Sequence, residues 1–190
     1  MKIIPFYKNE KQLIRKSASG NREAQHRLFE KYAPKMLGVC RRYIKDLHFA
    51  EDAMVNGFVK VFKNLDSFRY EGSFEGWVRR IMVRESISHL RKQQFIVYDD
   101  TIFDEAASES VDSTSEFDID HIQQLIDALP DGYRTVFVLY AVEGYKHQDI
   151  AALLNISEST SKSQLFKARK LLQEKLKLKG ISRRAKFGAS

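Results

Sequence analysis

Cysteine, proline and glycine are all scarce in this chain, with one, three and nine copies among 190 residues. The single cysteine, Cys40, excludes any disulfide within the chain and indicates a reducing compartment. Few prolines and glycines favour helices. The longest apolar run, Val136–Val142, is far too short to span a bilayer, and the N-terminal stretch MKIIPFYKNEKQ is too polar for a signal peptide. We therefore expect a soluble, cytoplasmic protein without membrane insertion.

Lysine and arginine are absent from residues 99–132, which carry 11 acidic side chains. Residues 1–98 carry 20 basic and 10 acidic side chains, and residues 133–190 carry 12 and 4. Two basic blocks therefore flank an acidic one. Basic blocks supply the sequence-independent part of nucleic-acid affinity. The alternative is two ordinary solvated surfaces.

Signatures of catalysis are also missing. The five histidines are scattered without the spacing of metal ligands. No glycine-rich phosphate loop, no Gly-x-Ser-x-Gly motif and no Cys/His nucleophile signature is present. We expect no enzymatic activity, no cofactor and no metal.

The hydrophobic pattern has a helical period almost throughout. It runs from Leu13 to Lys92 and resumes at Ile119, without the alternation typical of strands. This predicts an all-α fold of two small helical domains, the second containing a helix-turn-helix. The predicted divisions are a first domain (1–98), an acidic flexible linker (99–117), a second domain (118–176) and a frayed basic tail (177–190).

The second domain contains the most informative stretch, Gly144–Leu172. A helix over Lys146–Leu154 is followed by the short turn Asn155-Ile156-Ser157, where Ser157 can cap a second helix. A short polar helix behind a tight turn suits the DNA major groove. The alternative is an ordinary αα-hairpin. The polar side of the second helix is expected to hold Ser159, Thr160, Ser163, Gln164 and Lys167.

The first domain contains an aromatic loop followed by an arginine-rich helix. The loop is Asp66–Ser73, and the helix runs from Phe74 to about Lys92. Arginines among aromatic rings are suited to single-stranded nucleic acid, since bases stack on rings while cations hold the backbone. The alternative is that Phe74 and Trp77 are core residues. Phe68, Arg69 and Tyr70 are expected to be exposed.

Three segments resemble conserved parts of the bacterial sigma-70 family. AEDAMVNGFVKVFKNLDSF (50–68) and FEGWVRRIMVRESISHLRK (74–92) are similar to its second conserved region. DALPDGYRTVFVLYAVEGYKHQDIAALLNISESTSKSQLFKARKLL (127–172) is similar to its fourth. A chain with both regions and little else resembles the extracytoplasmic-function (ECF) group.

The resemblance implies a subunit that binds core RNA polymerase and promoter DNA. It implies polymerase contacts for Glu51, Asp52 and Asn56. It implies contacts with the opened −10 element for Phe68, Arg69, Tyr70, Arg80, Arg84 and Arg91. It implies contacts with the −35 duplex for Ser157, Ser159, Thr160, Ser163, Gln164, Lys167, Arg169 and Lys170. Gln164 is expected to contact a base, and Arg169 and Lys170 are expected to contact phosphates.

Several positions depart from the family's usual pattern. Asn56-Gly57 stands where Gln-Glu or Gln-Asp is usual, Lys146 replaces a capping Ser or Thr, and Gln164 replaces an Arg. These departures leave open which bases are read. Two other functions also remain open: a stand-alone helix-turn-helix regulator with a sensing or dimerising first domain, and an interaction protein for an acidic partner. The sequence does not decide whether an anti-sigma factor restrains the chain.

Overall fold

The computed structural model of the chain describes the backbone of residues 9–92 and 119–187, and the side chains of residues 9–92 and 122–176. Within these ranges every regular element is helical. The chain divides between Lys92 and Gln93 into two compact units. The predicted all-α fold is therefore confirmed. The predicted acidic linker, residues 99–117, lies outside the described residues.

The first unit is built on three long helices that all pack against one another. Its helices are α1 (Glu10–Ala18), α2 (Arg22–Arg41), α3 (Leu47–Lys63) and α4 (Phe74–Lys92), with a 3-10 turn at Leu65–Ser67. Helix α3 packs against α2 and α4, and α1 packs on α2. Fully buried side chains form the core, each stabilising the fold by roughly 1.5–3 kcal/mol: Leu28, Met36, Phe58, Val61, Val78 and Met82.

Polar side chains cap the N-termini of α1, α2 and α3. The side chains of Asn9, Asn21 and Asp46 accept hydrogen bonds of 2.9–3.0 Å from backbone N–H groups of the first turns of α1, α2 and α3. Such caps stabilise a helix by about 1 kcal/mol each.

Helices α3 and α4 approach each other closely at Gly57. A Cβ atom at this position would lie 2.3 Å from Sδ of Met82, which is fully buried. Glycine within a helix costs about 1 kcal/mol relative to alanine. The close approach of α4 accounts for a glycine here, at a position where the resemblance leads one to expect a longer polar side chain.

The second unit is organised around one long helix. Its helices are α5 (Ile119–Asp127), α6 (Asp131–Phe137), α7 (His147–Leu154) and α8 (Glu158–Phe187), and the first three pack on α8. Helix α6 continues into a π-helical turn, Val138–Val142. Where a frayed tail was predicted, the backbone of residues 177–187 is helical, because α8 continues to Phe187.

Candidate nucleic-acid interface

Helices α7 and α8 form the predicted helix-turn-helix. Asn155 adopts the left-handed conformation (φ 57°) that ends α7, and the backbone N–H of Ile156 donates to the carbonyl of Ala151 at 3.1 Å. Ser157 Oγ then accepts from the backbone N–H of Thr160 at 2.9 Å and so caps α8. The predicted turn and cap are confirmed. Lys146, at the start of α7, makes no side-chain cap, as its departure from the family pattern suggests.

The N-terminal turn of α8 presents a cluster of hydroxyl groups. Ser157 Oγ lies 2.7 Å from Ser159 Oγ and 2.8 Å from Thr160 Oγ1, and Ser163 Oγ donates to the carbonyl of Thr160 at 3.0 Å. The N-terminus of a helix attracts anions because its free N–H groups and the helix dipole carry partial positive charge. This end of α8 is therefore suited to a phosphate or to the polar edge of a base.

The exposed side of α8 differs from the predicted one. Gln164 is only 1% exposed and lies with Ser161, Leu165 and Ala168 on the side that packs against the rest of the unit. The prediction that Gln164 lies on the wet side of the helix is therefore wrong, and its predicted contact with a base is not supported by an exposed side chain. These four residues recur at intervals of three and four, so burial of Leu165 and Ala168 turns Gln164 inward as well.

Phe166 is the side chain that the sequence analysis missed. It is 70% exposed although it is aromatic, and it lies on the same side as Ser159, Lys162, Arg169 and Lys170. Phe166 is four residues from both Lys162 and Lys170, and this spacing was the signal in the sequence that places it on the same side of the helix as the two lysines. The exposed side of α8 thus combines hydroxyl groups, cations and one aromatic ring.

Two cations of α8 are held against tyrosine rings. The guanidinium of Arg169 lies 5.6 Å from the ring centroid of Tyr140, and that ring stacks on His147 at 4.6 Å. The Nζ of Lys167 lies 5.9 Å from the ring centroid of Tyr133. His147 Nδ1 is 2.9 Å from Ser161 Oγ, which ties α7 to α8. The Tyr140 ring therefore gives Arg169 a defined position on α8.

In the aromatic loop of the first unit, Phe68 is buried and Tyr70 is exposed. Phe68 is only 7% exposed, which contradicts the prediction of an exposed ring. Its ring packs 5.1 Å from Phe74 and 5.6 Å from Trp77. Tyr70 is 41% exposed and lies 4.8 Å from Phe68 between ring centroids. The burial of Phe68 follows from the apolar surface that Phe74 and Trp77 offer it, and the predicted direct DNA contact by Phe68 is replaced by support of Tyr70.

Helix α4 presents a basic side next to this loop. Arg80, Arg84 and Arg91 are all exposed and spaced so that they share one face of the helix. Trp77, one turn before Arg80, is half-buried. Arg69, at the loop tip, is exposed as predicted. Exposed rings beside a row of arginines meet the requirements of a single-strand site.

The outward side of α3 combines acids with apolar side chains. Glu51, Asp52 and Asn56 are exposed, as expected, and so are Val55 and Val59 on the same face. Exposed apolar groups flanked by acids indicate a protein-binding surface rather than a DNA-binding one.

Comparison with known proteins agrees with this geometry. Residues 28–96 match the model "Sigma-70 region 2", and residues 119–172 match "Sigma-70, region 4". The chain belongs to the sigma-70 family. It is similar to the ECF sigma factor SigW of Bacillus subtilis (strain 168), at 28% identity over 88% of this chain and 96% of SigW. It is also similar to the sigma-H factor of Pseudomonas aeruginosa, at 26% identity over 88% and 93%.

A solved structure supports the fold. The sigma factor RpoE of Bartonella quintana, crystallised with the anti-sigma factor NepR, matches with a TM-score of 0.52 and 23% identity over 80% of this chain and 96% of that one. The sigma factor described here belongs to the ECF group, whose members direct promoter-specific transcription initiation with core RNA polymerase and promoter DNA as partners. The family consists of non-catalytic initiation factors.

Among the described side chains, residues 9–92 and 122–176, no group of three or more His, Cys, Asp or Glu residues could hold a metal ion. In the same ranges no helix has the length and apolar content needed to cross a membrane.

Proposed function

We propose that this sigma factor uses three separate surfaces for three steps of initiation. The outer side of α3 docks on core RNA polymerase, the Tyr70 loop and α4 capture the opened −10 strand, and the start of α8 reads the −35 duplex. The observation that carries this proposal is the separation of surface chemistry: acids and valines on α3, arginines and rings at α4, and hydroxyls, cations and Phe166 on α8. The cytoplasm, where core polymerase works, is the inferred location.

The docking surface is supported by its contrast with the rest of its unit. Glu51 and Asp52 are acids within a basic region, and DNA would repel them. Val55 and Val59 lie one and two turns further along α3 and expose apolar surface to solvent. A basic protein groove with an apolar floor would match this arrangement, since it supplies both charge pairing and apolar contact.

The −10 surface is supported by the combination of a stacking ring and a basic row. Tyr70 offers an exposed ring supported from beneath by Phe68. Arg80 and Arg84 can follow the phosphates of a single strand leaving that ring. Trp77 lies between the loop and these arginines and offers a second, partly exposed ring.

The −35 surface is supported by the exposed side of α8. Phe166 is suited to apolar contact with the methyl group of a thymine in the major groove. Ser159 and Lys162 lie on the same side and can donate hydrogen bonds to base edges or phosphates. Arg169 and Lys170, one turn beyond Phe166, are placed for the phosphate backbone. Phe166 and Lys162 thus take the reading role that the sequence analysis gave to Gln164.

The family resemblance leaves an anti-sigma factor open as a further partner of this chain. The apolar and acidic side of α3 is the surface we assign to it, because a factor bound there would block polymerase docking. The RpoE structure, at 23% identity, supports the shared fold and does not bear on the partner of this chain.

Transcription by core polymerase with the wild-type sigma factor, or with a variant that lacks the acids of α3, tests the proposed function. A template pool with randomised −10 and −35 elements is first transcribed by core polymerase with this sigma factor, and the products identify a promoter. We expect no specific run-off product from core polymerase alone, and none with Glu51→Lys/Asp52→Lys, because the charge reversal opposes docking. Circular dichroism checks that the variant is folded.

The matched control is Glu23→Lys/Glu30→Lys on α2. Both acids are exposed, and among the described residues each pairs within one helix turn, Glu23 with Arg27 and Glu30 with His26, so their loss has little effect on stability. This control should transcribe like the wild type. If Glu51→Lys/Asp52→Lys binds core polymerase as tightly as the wild type does, the assignment of the docking surface to α3 is contradicted. Specific duplex binding by the chain alone would instead support a stand-alone regulator.

A further inference from the structure

Helix α1 lies outside the stretch that matches sigma-70 region 2, which begins at residue 28. It nevertheless packs on α2 and on the 3-10 turn Leu65–Ser67, which leads directly into the Tyr70 loop. The residues of α1 that face the loop have no role in the functions described above.

The start of α1 is tied to α2 by one carboxylate. Glu10 forms an ion pair with Lys31 at 2.5 Å and accepts a hydrogen bond from the Tyr32 hydroxyl. These hydrogen bonds lower the pKa of Glu10. The ring of Tyr32 in turn packs edge-on against Phe74 at 5.5 Å between centroids. The position of α1 is therefore coupled to the first residue of α4.

A second series of contacts leads from α4 back to α1. Phe74 packs on Phe68 at 5.1 Å, and Phe68 packs on Tyr70 at 4.8 Å. The Nζ of Lys11 lies 5.2 Å from the centroid of the Tyr70 ring. The contacts thus form a closed circuit that begins and ends on adjacent residues of α1. Tyr70 is held in it although its backbone adopts the left-handed region (φ 60°), which is unfavourable for a bulky residue.

Lys11 keeps its charge available in this arrangement. The neighbouring carboxylate, Glu10, is engaged by Lys31 and Tyr32 on α2. Within residues 9–92, the contact of Lys11 is with an aromatic ring rather than with an acid. An ammonium group on an exposed ring is held weakly, so it can move to a phosphate when one arrives.

We propose that Lys11 is a further binding residue of the −10 site, whose ammonium group binds the phosphate of the nucleotide that stacks on Tyr70. This inference rests on the proposed capture of the −10 strand by the loop. Sites for single strands combine a stacking ring with a cation on the adjacent backbone, and Tyr70 with Lys11 forms such a pair. The first unit would then bind the strand with α1 as well as with the loop and α4.

Binding of a labelled strand to the holoenzyme tests the role of Lys11. The probe is a fluorescein-labelled, 20-nucleotide single-stranded DNA with the opened −10 strand of the promoter selected above. Anisotropy gives its affinity for core polymerase with wild-type, Lys11→Gln, Lys11→Arg or Lys16→Gln sigma factor, over a range of salt concentrations. Lys16 is the matched control, because it is an exposed lysine on the same helix.

Loss of one phosphate contact has a defined signature. For single strands, the slope of log K against log salt should become shallower by about 0.7, which is about a fivefold loss of affinity at 0.1 M salt relative to 1 M. We expect this change for Lys11→Gln, with Lys11→Arg and Lys16→Gln both close to wild type. A weaker affinity with an unchanged slope would show that Lys11 only supports the loop and would overturn the proposal, as would an unchanged affinity.

Tyr70→Ala and Arg80→Gln separate this inference from the function on which it rests. If both weaken strand binding and Lys11→Gln does not, the −10 assignment stands and the role of Lys11 fails. If all three bind the strand like the wild type, the −10 assignment itself fails.

Discussion

At the scale of single residues, polarity is a poor guide to the exposed side of α8. Gln164 is buried and Phe166 is exposed, two positions apart on one helix. The Oε1 atom of Gln164 has no hydrogen-bond partner among the described residues. A buried polar atom without a partner destabilises the fold, because its hydrogen bonds with water are not replaced. We therefore expect Gln164 to lower the stability of the second unit.

Replacing Gln164 by leucine should raise the free energy of unfolding of the second unit by about 1 kcal/mol, because an unpaired polar group is replaced by an apolar one of similar size. Urea unfolding followed by circular dichroism measures the change. Fluorescence of Trp77, the one tryptophan of the sequence, reports the first unit and should not shift.

The control is Gln173→Leu, the same substitution at an exposed position of α8, which should leave stability unchanged. The Gln164→Leu variant should also keep the wild-type preference at every −35 position in transcription from systematically substituted promoters. An altered preference at a single base would restore Gln164 as a reader.

At the scale of elements, α1 is anchored through a carboxylate whose pKa is lowered. Hydrogen bonds from Lys31 and Tyr32 favour the ionised form of Glu10. Its pKa in the folded chain is therefore below the value near 4.3 that an unfolded glutamate has, as an order-of-magnitude guide. The stabilisation is fully present above about pH 4.3 and is lost as pH falls through the lower folded value.

The variant Glu10→Gln should therefore unfold more easily than the wild type at neutral pH, and its stability should depend less on pH below about 4.3. Thermal unfolding followed by Trp77 fluorescence between pH 3 and 7 gives both curves. Glu30→Gln is the control, because Glu30 is exposed and its partner lies on its own helix. Parallel curves for Glu10→Gln and wild type would argue against the anchoring role of Glu10.

At the scale of the whole molecule, the two units are assigned to different stretches of one promoter. Tyr70 lies in the first unit and Phe166 in the second. Substitutions at sites that share no partners usually add. The proposed division of labour therefore predicts independent effects of these two residues on initiation.

Tyr70→Ala should raise the activation free energy of open-complex formation on duplex templates by roughly 1–3 kcal/mol, since the ring stacks on a base of the opened strand. Its effect should be smaller on a template with a pre-melted −10 element, where opening is no longer required. Phe166→Ala should slow initiation equally on both templates, because the −35 element is a duplex in each. The double variant on duplex DNA should show the sum within about 0.5 kcal/mol.

Equal losses from Tyr70→Ala on both templates would show that its ring only packs against Phe68. A coupling well above 0.5 kcal/mol between the two substitutions would contradict the separate assignment of the units.

The sequence by itself determined the helical class, the cap at Ser157 and the distribution of charge. Ser157, the turn at Asn155 and the bounds of α4 all follow from local rules, since capping and hydrophobic period act within a few residues. The sequence motifs also identified the family. These features depend on neighbours in the chain, so a linear pattern contains them.

Only the tertiary structure decided which side chains face the solvent at the proposed sites. Phe68 is buried because Phe74 and Trp77 offer it an apolar surface, and Gln164 is buried because Leu165 and Ala168 orient their side of α8 towards the core. Lys11 reaches Tyr70 because α1 packs beside the 3-10 turn, with 58 residues of chain separating the two. Contacts between distant segments depend on how the helices pack, and helical periodicity specifies a buried face without specifying the partner that covers it.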